Sequence, residues 1–170
     1  MSASLRDYVA FQLGWAACVF LGNTGALLAF CVLLPLQSLW PPRRSGRDWV
    51  MVLAFSTAGL GMDLAWQAAG LITFEGQIAF GIAPWLVVLW LMFSGTLLQS
   101  LAFLQQKLLL AAILGAAAGP LSYLAGIAAG AATSPHGAWT ITLWLAPAWA
   151  LFLPAMCYLA RSPTPRITPA

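Results

Sequence analysis

The sequence predicts an all-α integral membrane protein: a single bundle of six transmembrane helices over residues 1–160, followed by a flexible cytoplasmic tail, 161–170. Of the 170 residues, 62% are apolar and 6% are charged, whereas soluble domains carry about 25% charged residues. So few charges cannot cover a water-facing surface, which excludes a soluble globular domain. The apolar runs also have the length of membrane spans, about 20 residues each, and short polar segments separate them.

The first apolar run breaks into two helices. It extends over residues 8–40 without a charge, and as one helix it would be about 50 Å long, more than a bilayer accommodates. Gly22-Asn23-Thr24-Gly25 lies near its middle, and Gly and Asn accept the positive φ values that turns require. The pattern predicts a hairpin of helices over 5–21 and 25–40. The alternative is a single fused span, which would give five helices in all.

Four further helices follow, separated by turn residues and charges. Residues 41–48 hold two prolines and three arginines, 73–83 and 133–137 are rich in Gly and polar residues, and 105–107 contains the only lysine. Pro84 suits the first turn of a helix. The predicted spans are 49–72, 84–103, 108–130 and 139–160.

Basic residues predict the orientation of these spans. With six spans and a cytoplasmic N-terminus, all seven Lys and Arg residues fall on the cytoplasmic side, as the positive-inside rule requires. The densest group is Arg43, Arg44 and Arg47. Five spans would leave Arg6 alone on the opposite side, so the distribution favours six spans with both termini in the cytoplasm.

Asp63 is the one ionisable residue deep inside a predicted span, about 21 Å from the cytoplasmic end of the third helix. An aspartate near the centre of a span costs about 2.5–3.5 kcal/mol to insert, so it must be protonated, paired or hydrated. Gly59 and Gln67 share its helical face. The sequence leaves two roles open for Asp63: ligand binding, or a buried hydrogen bond that ties helices together.

The fifth helix carries a matching stripe of small residues. Gly115, Gly119, Gly126 and Gly130 form two GxxxG patterns, which let helices approach closely in lipid. Ser122 and Tyr123 lie on the same helix, and Tyr123 is near the depth of Asp63. The sequence therefore predicts helix packing at these glycines and at Gly59. It places a candidate ligand pocket in the outer half of the bilayer, lined by Asp63, Gln67, Ser122 and Tyr123.

Catalytic motifs are missing from the sequence. It contains no nucleophile elbow, histidine box, CxxC pair or phosphate-binding loop. A lone aspartate lacks the second carboxylate that paired acid–base catalysis needs, and a single histidine, His136, makes a metal site improbable. We expect no enzymatic activity, no cofactor, no metal and no nucleic acid. The expected partners are membrane lipids, and either another membrane protein or a second copy of the chain.

The order of motifs along the chain resembles a family of bacterial inner-membrane proteins called domain of unknown function 2878. The residues that carry the resemblance are Phe11-Gln12-Leu13-Gly14-Trp15, Cys18, Gly61-Met62-Asp63, Ala83-Pro84-Trp85-Leu86, Leu89-Trp90, Phe93, Thr96-Leu97, Ser100-Leu101, Gly115-Ala116, Gly119-Pro120-Leu121-Ser122-Tyr123 and Gly126. The resemblance implies a small multi-pass protein of the bacterial inner membrane without an assigned activity. It also implies genes located near those of lipid-modifying enzymes, such as relatives of cyclopropane fatty acid synthase.

Three functions fit these observations. The first is a non-enzymatic membrane protein that binds a lipid-like or apolar ligand, or supports a lipid-modifying partner. The second is a small secondary transporter in which Asp63 is the coupling carboxylate. The third is a purely structural membrane subunit.

Overall fold

The computed structural model describes residues 2–39 and 44–161. The helices are α1 (Ala3–Leu28), α2 (Leu34–Ser38), α3 (Gly46–Ala68), α4 (Pro84–Thr96), α5 (Leu108–Ala128) and α6 (Gly137–Ala160), and a π-helical turn, Ala29–Leu33, joins α1 to α2. The strands β1 (Thr73–Phe74) and β2 (Ala132–Thr133) form one short antiparallel pair. The predicted helical class is therefore confirmed. Four helical segments in the described residues are long and apolar enough to cross a membrane: Ala3–Ser38, Gly46–Ala68, Leu108–Ala128 and Gly137–Ala160.

The predicted count of six separate helices is wrong. Residues 5–21 and 25–40 were expected as two helices, but the chain is helical throughout Ala3–Ser38 except at Gly22. Together with α3, α4, α5 and α6 this segment makes five apolar helices. The physical reason is that Gly22 makes the bend alone, with φ 55° and ψ −134°. Glycine has no Cβ to forbid this conformation, so the helix resumes at the next residue without a loop.

The chain nevertheless folds back at Gly22. A Cβ atom placed on Gly25 would collide with the carbonyl group of Ala17, so the two arms of the segment touch beside the bend. At the far end Arg44 donates from Nη1 to Ser38 Oγ at 3.0 Å and lies 3.5 Å from Asp7 Oδ1. The beginning and the end of the Ala3–Ser38 segment are therefore neighbours.

Several helix boundaries differ from the expected ones, and local capping explains those of α3 and α5. Helix α3 begins at Gly46 rather than 49, since Ser45 and Asp48 form a reciprocal capping box. Helix α4 ends at Thr96 rather than 103, and a turn of 3₁₀-helix, Ala102–Gln106, follows. Helix α5 ends just before Gly130, whose φ is 79°, a conformation that favours glycine at helix C-termini.

One end of the bundle, here called the bend end, is formed by Gly22 and the connector 73–83. The Asn23 side chain donates from Nδ2 to the Gly76 carbonyl at 2.8 Å. Strand β1 belongs to this connector and pairs with β2 in the loop after α5, so that Phe74 lies opposite Ala132. These bonds hold the Gly22 bend, the connector and the loop after α5 together.

The opposite end, here called the basic end, gathers the described cationic side chains. Arg47 donates from Nη2 to the Arg161 carbonyl at 3.3 Å, and Arg161 donates from Nε to the Gln105 carbonyl at 2.5 Å. Arg44, which is bonded to Ser38 and Asp7 as described above, lies at the same end. The predictions for Arg43 and for the tail beyond Arg161 fall outside the described residues.

Helix packing divides the bundle into two groups. Helix α4 packs against α1 and α3, whereas α5 packs mainly against α6. The groups meet at the bend end through the β1–β2 pair and at the basic end through the 3₁₀ turn, which contacts both α5 and α6. The space between these two junctions contains the candidate site.

Candidate functional site

A cavity of about 450 Å³ lies between the two helix groups. Its walls are almost entirely apolar, and aromatic rings supply much of the surface: Phe11, Trp15, Phe74, Trp85, Trp90, Phe93, Tyr123 and Trp149. Its polar lining residues are Gln12, Asp63 and Ser122, with the hydroxyl group of Tyr123. No Lys, Arg or His belongs to the lining formed by the described residues. Among the described residues, the cavity is therefore lined by apolar side chains and by one carboxyl group, that of Asp63.

Asp63 forms the polar centre of this wall. The Tyr123 hydroxyl group donates to Asp63 Oδ1, and the Trp90 indole donates from Nε1 to Asp63 Oδ2 at 2.6 Å. Asp63 is only 1% exposed. One side chain from each of α3, α4 and α5 thus meets at a single point, and a buried carboxylate obtains the donors that burial demands.

Two indole rings extend the site toward α6. Trp90 and Trp149 stack with centroids 5.7 Å apart and planes inclined by 7°. Glycines make room for them: a Cβ atom on Gly59 would collide with the Trp90 ring, and one on Gly119 would collide with the Trp149 ring. Gly59 of α3 and Gly119 of α5 therefore leave the space that the two indole rings near Asp63 occupy.

The predicted pocket residues separate into two groups. Asp63, Tyr123 and Ser122 all line the cavity, although the Ser122 hydroxyl group donates to the carbonyl of Gly119 in its own helix at 2.7 Å. Gln67 does not line it. Its amide donates to the Gly81 carbonyl at 3.0 Å and accepts from Gln77 at 2.8 Å, so Gln67 holds the connector 73–83 instead.

The glycines of α5 also differ from one another. A Cβ atom on Gly115 would collide with the carbonyl group of Trp149, which places α5 and α6 backbone to backbone there. Nothing lies within 4 Å of a Cβ built on Gly126 or Gly130. Gly126 lines the cavity, and Gly130 lies just beyond the helix, so the second GxxxG pattern does not form a close helix contact.

A second polar cluster, at the basic end, was not predicted. Arg44 was expected only to mark orientation, but its side chain forms an ion pair with Asp7, and the two side chains are 4% and 0% exposed. Asp7 Oδ2 also accepts from the Ser100 backbone N–H at 3.1 Å and from its hydroxyl group. Burial lowers the pKa of the Arg44 guanidinium below its usual value, and the carboxylates of Asp7 and Asp48 oppose this shift. No local pattern signals the cluster, because its members are dozens of residues apart in the chain.

Trp90 and Trp149 are two of the cavity residues that the sequence did not place in the predicted pocket. A usable signal existed for Trp90, because a buried indole N–H needs an acceptor and Asp63 is the one carboxylate deep in a predicted span. Within the described residues no group of three or more metal-ligating side chains occurs.

Comparison with known proteins yields one match. The family described as "Protein of unknown function (DUF2878)" matches residues 4–155. No curated protein and no solved structure matches the chain. Because the match covers most of the chain, and as its motifs indicated, this protein belongs to the DUF2878 family.

Proposed function

We propose that this protein is a non-enzymatic, multi-pass protein of the bacterial inner membrane that binds a lipid-like or apolar ligand in the cavity beside Asp63. The cavity itself is the observation that carries the proposal. Its volume of about 450 Å³ falls within the range of roughly 300–1,000 Å³ typical of small-molecule sites. Its apolar wall with one fixed polar point is also typical of such sites.

The membrane path follows from the bend at Gly22. The two arms, 3–21 and 23–38, are about 28 Å and 24 Å long at 1.5 Å per residue, near the roughly 30 Å of a hydrocarbon core. Each arm crosses the bilayer once, which gives six crossings from five helices. The basic end faces the cytoplasm, since Arg44, Arg47 and Arg161 gather there.

A transporter with Asp63 as its coupling carboxylate is the alternative. Coupling requires the carboxylate to exchange partners, whereas both oxygens of Asp63 accept from side chains held in packed helices. These bonds favour binding over transport. Support of a lipid-modifying partner, which the family resemblance implies, is compatible with a protein that holds a lipid ready for that partner.

The experiment compares two leucine substitutions. Gly126→Leu adds a side chain where the structure has open space inside the cavity, and Gly61→Leu adds one to an exposed position of α3. Each protein is purified from native membranes in mild detergent, and the bound lipids are identified by mass spectrometry. We expect a lipid that co-purifies with the wild type and with Gly61→Leu but is depleted in Gly126→Leu.

An identical lipid profile in all three proteins would contradict binding in the cavity. Thermal unfolding of the two variants serves as the control for folding, because neither added side chain meets an atom within 4 Å of its Cβ.

A further inference from the structure

We propose that the cavity selects amphiphiles whose head group donates a hydrogen bond and carries no negative charge, such as an alcohol or an ammonium on a single apolar chain. This inference rests on the proposed binding function and names the chemical class of its ligand. It follows from the hydrogen bonds and charges around Asp63.

The two donors that face Asp63 at the polar centre are already used. The Tyr123 hydroxyl hydrogen is directed to Asp63 Oδ1 and the Trp90 indole hydrogen to Oδ2. What remains is acceptor capacity: the lone pairs of the Tyr123 oxygen and of the carboxylate. The nearby Ser122 hydroxyl group is already used within α5. A head group reaching this point can therefore donate a hydrogen bond to these acceptors. The donor that it meets there is the Trp149 indole N–H, which lines the cavity and is buried without a partner, and a hydroxyl group can use both.

The charges point the same way. Asp63 is the only charged residue among the described residues that line the cavity. The cationic side chains described above lie at the basic end of the bundle, where Arg44 is paired with Asp7. Asp63 lies about 26 Å along α3 from Gly46. An anionic head would therefore meet no cation among the described lining residues of this low-dielectric wall, and the ionised form of Asp63 would repel it, which is strongly unfavourable.

Gln12 does not change this conclusion. Its amide also lines the cavity and could donate to an anion, but it lies only about 7 Å along α1 from Asp7. It therefore lies closer to the basic end than Asp63 does. The rings beside Asp63, stacked Trp90 and Trp149, present an apolar surface to the chain, and aromatic faces also attract an ammonium.

The test uses three probes with the same chain: dodecanol, dodecylammonium and dodecanoate. Each is titrated separately at neutral pH into the purified full-length protein in detergent, and bound probe is counted by native mass spectrometry. For the wild type we expect dodecanol and dodecylammonium to bind at least about tenfold more tightly than dodecanoate. In Asp63→Asn the negative charge is gone, so this discrimination against dodecanoate should fall below about threefold.

Two further variants complete the design. Tyr123→Phe removes the phenolic oxygen but keeps the ring, and should weaken dodecanol binding while dodecanoate remains excluded. Thr57→Ala is the matched control on α3, because Thr57 is exposed and donates only to the Leu53 carbonyl of its own helix. It should leave all three affinities unchanged.

The outcomes separate this inference from the function on which it rests. If all three probes bind equally and Gly126→Leu abolishes their binding, the cavity binds apolar chains and the head-group inference is refuted. Tightest binding of dodecanoate, or full discrimination retained in Asp63→Asn, refutes it as well. If no probe binds the wild type, the proposed function and the inference both fail.

Discussion

Replacing Asp7 by alanine leaves the Arg44 guanidinium buried without its partner. The two side chains are 0% and 4% exposed, so solvent cannot replace the lost carboxylate. Removing one member of a buried ion pair costs about 3–5 kcal/mol. The Ser100 hydroxyl and backbone N–H lose their acceptor at the same time. For a chain of this length, about 2–4 °C per kcal/mol converts the loss into a fall in Tm of roughly 6–20 °C.

The assay is thermal unfolding in detergent, followed by intrinsic tryptophan fluorescence. It compares Asp7→Ala, Arg44→Met and the double variant, with Thr57→Ala as a control that should stay near the wild-type Tm. Because the double variant no longer buries a lone charge, its Tm should fall by less than the sum of the single effects, with a coupling free energy of about 1–3 kcal/mol. Single variants within about 2 °C of the wild type, or strictly additive effects, would show that the buried pair does not hold this end of the bundle.

Four further substitutions test how the helices and the connector 73–83 meet. Gly119→Ala directs a methyl group into the Trp149 ring and should destabilise the protein by about 1–3 kcal/mol in chemical unfolding. Gly126→Ala, with open space at its Cβ, should be neutral or stabilising by up to about 1 kcal/mol; equal effects at the two positions would argue against the α5–α6 contact. Gly22→Ala should cost about 1–3 kcal/mol in the same assay because of its φ of 55°, and a stabilised variant would show that the bend is absent. Asn23→Ala breaks the 2.8 Å bond to the connector 73–83, so amide hydrogen exchange there should accelerate about 2–10-fold, and unchanged exchange would contradict the tether.

The fold was predictable where one local property decides it. Apolar runs of span length gave the helices, and the turn residues near Gly22 marked the reversal. Boundaries were less predictable because they depend on caps: the Ser45–Asp48 box starts α3 three residues early. The helix count failed for a related reason, since a single glycine can reverse the chain without a loop.

The site was predictable in part for the same reason. Helical rise places Asp63 and Tyr123 at similar depth, and the structure joins them by a hydrogen bond. Gln67 shares a helical face with Asp63, yet it bonds to the connector. Its partners depend on how residues 73–83 fold back over the bundle, which helical periodicity cannot indicate.

Composition alone predicts a membrane protein, since so few charged side chains cannot cover a surface in water. The cost of burying a charge in lipid likewise draws attention to Asp63 from the sequence alone. Composition does not indicate the cavity, the Trp90–Trp149 stack or the Asp7–Arg44 pair. Each joins residues from helices far apart in the chain, and in lipid close packing and hydrogen bonds, rather than burial of apolar surface, determine which helices meet. Those contacts depend on the shapes of side chains across an interface, which exist only once the helices have assembled.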